Sequence, residues 1–82
     1  MTPDEIRSKV LACLVDVAPE ADPATIRAGH PLRDQLDLDS YDYLRFLVRL
    51  HEVLGADIPE ADYGKVATID ALVDYLTTSL PG

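Results

Sequence analysis

"LDLDSYDYLRFLVRL", residues 36–50, carries the reading of this chain. Asp37 and Asp39 lead into Ser40, and a long apolar-rich run follows. Asp39 is the cap expected of a helix that starts at Ser40, and Asp42 adds an acid to its first turn. At about 100° per residue, Tyr43, Phe46, Leu47, Leu50 and Leu54 fall within a sector of roughly 100°, enough to face a core. Gly55 supplies the stop. Tyr41, Leu44 and Val48 point about 100–160° away from the centre of that face. A surface helix in a simple bundle needs no second apolar stripe. Either a partner protein covers it, or the long segment ahead of Ser40 folds over it.

Outward from that helix the chain reads as helices joined by loops. In residues 2–17, Thr2-Pro3-Asp4-Glu5 forms a capping box with proline at the first helical position. Ile6, Val10, Cys13, Leu14 and Val17 then make one amphipathic stripe, which places Cys13 in the core as a small hydrophobe. Pro19 ends this helix. Residues 18–39 form a long connection punctuated by Pro19, Pro23, Gly29 and Pro31, with Ile26, Leu32, Leu36 and Leu38 able to pin it to the core. A connection that long serves a purpose or holds a short turn of its own. After Ile58-Pro59 a short helical turn is expected through about Tyr63. Thr68 caps a last helix whose Ile69, Leu72, Val73 and Leu76 can face inward. The pattern predicts an all-α fold: a small four-helix bundle, three main helices plus one short one, with the long loop between the first and second helices.

The 82 residues allow one domain with one core, since a chain of this size buries only slightly more than ~60% of its unfolded surface. Fifteen acids against seven bases give a net charge of −8, which argues against nucleic acid, whose phosphates demand clustered Lys and Arg. Such a field favours basic protein partners or serves only solubility, and both readings stay open. Ser40–Leu54 is an exception, with Asp42 and Glu52 balanced by Arg45 and Arg49. No stretch approaches the ~20 apolar residues of a membrane span, no signal segment opens the chain, and a lone cysteine permits no internal disulfide. A cytosolic monomer is the expectation.

Ser40 itself admits four readings. It can simply open the helix, as most serines there do. It can be a hydrolase nucleophile, but no Gly-x-Ser-x-Gly turn surrounds it. The only histidines are His30 and His51, and His51, eleven residues on, stands about three turns or ~16 Å along the same helix, beyond contact. Asp37, Asp39 and Asp42 can hold calcium, but a calcium loop counted from Asp37 needs a ligand, glycine and glutamate where Tyr41, Asp42 and Val48 stand. No metal site is expected. Last, Ser40 can carry a phosphate-linked group, because a helix N-terminus offers free N–H donors and the positive end of the dipole.

Leu36, Leu38, Asp39, Ser40 and Asp42, the apolar register behind them, Ile58-Pro59 and the Thr68 helix start together resemble the acyl carrier protein family over essentially the whole chain. That family's signature is Asp-Ser-Leu (or Met)-Asp at the start of the second helix of a four-helix bundle. The resemblance implies a 4′-phosphopantetheine arm on Ser40, installed from coenzyme A by a phosphopantetheinyl transferase. It implies a carrier of thioester-bound acyl groups and no catalysis by the chain itself. Partner enzymes, an acyl-activating enzyme or a ketosynthase or acyltransferase of fatty-acid, polyketide-like or specialised metabolism, would dock through Asp39, Tyr41, Asp42, Leu44 and Val48. The departures from the family pattern are Asp37 where glycine is usual, Tyr41 where Leu or Met is usual, and Arg45 and His51 in place of acids. They point away from the general fatty-acid synthase and toward a dedicated carrier. The alternative is a small helical interaction module that uses the Tyr41–Val48 stripe without a prosthetic group.

Overall fold

The computed structural model describes residues 2–79. Helix α1 spans Pro3–Val17, and Thr2 caps it, accepting from the Glu5 N–H at 3.2 Å and donating to Glu5 Oε1 at 3.3 Å. Ile6, Val10, Cys13 and Leu14 are buried, as their spacing requires, while Val17 is half-buried. The Ala18 N–H closes the helix on the Leu14 carbonyl at 2.8 Å. Pro19 blocks a further turn.

The long connection does hold an element of its own: α2, Leu32–Gln35. Four residues cannot make a stable helix by local propensity. Tertiary contacts supply what is missing. Leu32 is fully buried and its N–H donates to the Ala67 carbonyl at 2.8 Å. The Gln35 side chain accepts from the Arg27 N–H at 2.6 Å and donates to the carbonyls of Arg27 and His30 at 2.7 and 2.9 Å. Leu38 is also buried, and Ile26 and Leu36 are packed against the core, so all four expected anchors engage.

Helix α3 runs Ser40–Leu54 and buries Tyr43, Phe46, Leu47 and Leu50. Gly55 terminates it at φ 69°, a left-handed conformation that costs glycine nothing, and its N–H bonds the His51 carbonyl at 2.8 Å. The short turn expected through Tyr63 is a 3₁₀ segment that continues to Val66, Glu60–Val66. Its extension follows from partners outside the segment. The Tyr43 hydroxyl donates to the Val66 carbonyl at 3.0 Å, and the Tyr75 hydroxyl donates to Asp62 at 2.8 Å. Helix α4, Ile69–Ser79, is capped by Thr68, which accepts from the Ala71 N–H at 3.0 Å.

α1 packs against both α3 and α4, and α4 packs against the 3₁₀ segment. Phe46, Ile6, Leu14, Leu32, Leu50, Ile69, Leu72 and Leu76 are the fully buried large side chains of the resulting core. Each is worth roughly 1.5–3 kcal/mol of transfer free energy, so Leu32 alone gives the connection a firm attachment. Among the described residues there is no strand, and no helix is long and apolar enough to cross a membrane. The architecture is the all-helical bundle that the periodicity predicts, with one extra short helix in its loop.

Candidate functional site

Asp39 and Ser40 divide two tasks that one residue often combines. Asp39 has extended backbone angles and its carboxylate accepts the Asp42 N–H at 2.7 Å, so it is the cap. Ser40 is the first helical residue and is exposed. Its hydroxyl is therefore not consumed in capping. The hydroxyl oxygen instead accepts from Arg33 Nη2 at 3.3 Å, while Arg33 Nε donates to the Leu38 carbonyl at 3.4 Å. Arg33 sits on α2, so the turn inside the connection brings a guanidinium to the serine across seven residues of chain.

A cavity of about 550 Å³ opens beside the hydroxyl. Pro31, Tyr43, Leu44, Tyr63 and Ala67 give it apolar walls, Gly64 leaves room, and Arg33, Ser40 and Glu60 supply its polar groups. Burial pushes the Tyr43 phenol above its ordinary pKa of 10.0, partly offset by the nearby Arg33 cation. At neutral pH it stays a neutral donor to the Val66 carbonyl.

Tyr41, Leu44 and Val48 remain 68, 44 and 50% exposed, so the long connection does not fold over them. Val53, which the sequence reading left out, is exposed with them on α3. Asp39 is exposed and Asp42 half-buried beside Ser40, so all five residues expected at a docking surface sit on or at the start of one helix. The two arginines of α3 differ. Arg49 is engaged with Asp16 at 3.2 Å and Glu52 at 3.4 Å, and these acids hold its guanidinium above its usual pKa. The Arg45 guanidinium lies 5.9 Å from the Tyr41 ring centre, within cation–π range, and joins the exposed stripe.

Neither histidine lines the cavity beside Ser40. His51 Nδ1–H donates to the Ala56 carbonyl at 3.0 Å and fastens the end of α3. Cys13 is buried, and burial pushes its thiol above the ordinary 9.0, which makes it a poor nucleophile. Sequence reasoning missed Arg33, Tyr63 and Glu60. Only Arg33 left a signal, as the one base between Arg27 and Arg45 in a stretch holding Asp34, Asp37, Asp39 and Asp42.

These residues fit a phosphodiester-linked arm. The hydroxyl is exposed, a guanidinium stands 3.3 Å from it, and an apolar groove adjoins it. The positive end of the α3 dipole adds favourable partial charge. The sequence pattern of a protein family described as a phosphopantetheine attachment site matches residues 8–76. The chain is 30% identical over 76 residues to an acyl carrier protein of Lactobacillus acidophilus, covering 93% of this chain and 94% of that one. It is 28% identical to an acyl carrier protein of Rubrobacter xylanophilus, over 93% of each. It is also 28% identical to a mitochondrial acyl carrier protein of Arabidopsis thaliana, over 90% of this chain and 58% of that one.

Proposed function

Because this chain belongs to the acyl carrier protein family, whose shared feature is a phosphopantetheine attachment site, we propose that Ser40 is where its arm attaches and that residues 1–82 act as one dedicated carrier unit. The cofactor is 4′-phosphopantetheine, and the family's role is carriage, not catalysis. The arm's terminal thiol supplies the thioester chemistry. The chain's own residues present the hydroxyl, balance charge around it and offer partners a surface.

One observation carries the choice of Ser40: Asp39 does the capping, which leaves the Ser40 hydroxyl exposed at the mouth of α3. A transferase bringing coenzyme A can reach such a group without unfolding the helix. Asp39, Tyr41, Asp42, Leu44 and Val48 then form the ground on which the transferase and the acyl-handling enzymes dock, with Arg45 among them. An apolar stripe containing a cation beside two acids differs from an evenly acidic one. It suits a cognate acyl-activating enzyme, ketosynthase or acyltransferase better than the general fatty-acid machinery. The module without a prosthetic group shares this stripe but gives the exposed hydroxyl and its guanidinium neighbour no task.

Intact mass after incubation with coenzyme A and a broad-specificity transferase tests the attachment. One adduct is expected on the parent chain and none on Ser40→Ala. An adduct that persists in Ser40→Ala, or a parent that gains no mass across several transferases, overturns the assignment.

A further inference from the structure

Resting on Ser40 as the attachment point, we propose that Arg33 is the counter-ion of the phosphodiester that joins the arm to the protein. It is a positioning residue, presented by α2 for that charge. The arrangement around it supports this on three counts.

First, Arg33 is surrounded in sequence by Asp34, Asp37, Asp39 and Asp42, yet among the described residues the ion pairs involve Arg7, Arg49 and Lys65 and not Arg33. Among the described residues its guanidinium hydrogen-bonds the Leu38 carbonyl at 3.4 Å and the Ser40 hydroxyl at 3.3 Å. Second, modification of that oxygen places a full negative charge on a chain already at −8, directly between Asp39 and Asp42. A cation 3.3 Å from the linking oxygen is closer than the reach of about 4–6 Å within which opposite charges shift each other's energetics. A guanidinium also meets phosphate oxygens with a planar fork of donors, which an ammonium cannot do. Third, the cation is held in advance. Buried Leu32 and the three hydrogen bonds of Gln35 fix α2, so little ordering remains when the charge arrives. Arg33 also lines the groove beside Ser40, so pairing there holds the first segment of the arm next to the groove.

The test uses the loaded protein and does not depend on acyl transfer. Parent, Arg33→Gln and Arg33→Lys are modified, the adduct on each is verified by intact mass, and the phosphodiester is observed by ³¹P NMR. The parent resonance is expected to move toward the Arg33→Gln position as salt rises to ~1 M, where the Debye length falls to ~3 Å. Arg33→Gln should sit there at low salt and move little, and Arg33→Lys should keep a salt-dependent shift that is smaller than the parent's. The Arg33 Nε–H signal of the unsubstituted chain should move between the unloaded and loaded forms, a readout that needs no variant to fold. Identical ³¹P positions in loaded parent and Arg33→Gln, with an unmoved Nε–H signal, overturn the pairing while attachment stands. A missing adduct on the parent overturns the attachment and the pairing with it, and the mass spectrum distinguishes that case.

Discussion

Asp39 and Ser40 are adjacent polar residues with different work, and the difference follows from one bond. The Asp39 carboxylate takes the Asp42 N–H at 2.7 Å, a charge-assisted bond at the positive end of α3. Removing it in Asp39→Ala should lower stability by ~1 kcal/mol, within the range of about 0.5–2 for lost caps, as read by urea unfolding. Asp39→Asn retains a capping oxygen and should recover most of that loss. If the carboxylate is also read by the transferase, Asp39→Asn will be modified more slowly than the parent despite its recovered stability. Equal rates would confine Asp39 to the cap. Ser40, by contrast, contributes little to the helix, so Ser40→Ala should unfold at nearly the same denaturant concentration as the parent.

At the scale of the element, α3 has two apolar faces with different fates. Tyr43, Phe46, Leu47 and Leu50 are sealed against the bundle, and Tyr41, Leu44 and Val48 are left in water. The arginines between them divide in the same way. Arg49 ties α3 to Asp16 of α1, whereas Arg45 lies over the Tyr41 ring. In the sequence the two are alike, the bases that balance Asp42 and Glu52 on one helix; their contacts separate them. Arg45→Glu alone is expected to reproduce most of the loss in loading by the cognate enzyme that Arg45→Glu plus Arg49→Glu shows, while a permissive transferase still modifies both. Loading rates measured side by side decide this. A full effect from Arg49→Glu alone would mean that the α1–α3 ion pair, and not the exposed stripe, governs the encounter.

For the whole molecule, Tyr43 links the helix that bears the site to the 3₁₀ segment that walls the groove. Its hydroxyl bond to the Val66 carbonyl is buried, and its removal in Tyr43→Phe should cost about 1 kcal/mol. The same burial sets a pH dependence. The folded phenol titrates above its ordinary 10.0, so the unfolded chain releases this proton first. Stability from this group is intact below about pH 10 and falls as pH rises toward the raised folded value. Cys13 and Tyr75 shift in the same direction, Cys13 by burial and Tyr75 chiefly by its bond to Asp62. Tyr43→Phe should therefore start lower at pH 7 and lose less on the alkaline side. Thermal unfolding at pH 7 and above pH 10 measures both effects, and parallel losses in the two proteins would remove Tyr43 from the account.

What was legible in the sequence is what depends on neighbours along the chain. Caps at Thr2, Asp39 and Thr68, the stop at Gly55 and the buried stripes of α1, α3 and α4 are set by residues within a few positions, and they folded as read. Ser40 at the start of α3 belongs to the same class. The α2 turn, the Arg33 contact with Ser40, the groove walled by Tyr63 and Ala67, and the different contacts of Arg45 and Arg49 were settled only by the tertiary structure. Each joins groups from different elements, and four residues of helix persist only because Leu32 and Gln35 find distant partners. Periodicity reports which side of a helix is apolar, but not what stands opposite it. That requires the packed bundle.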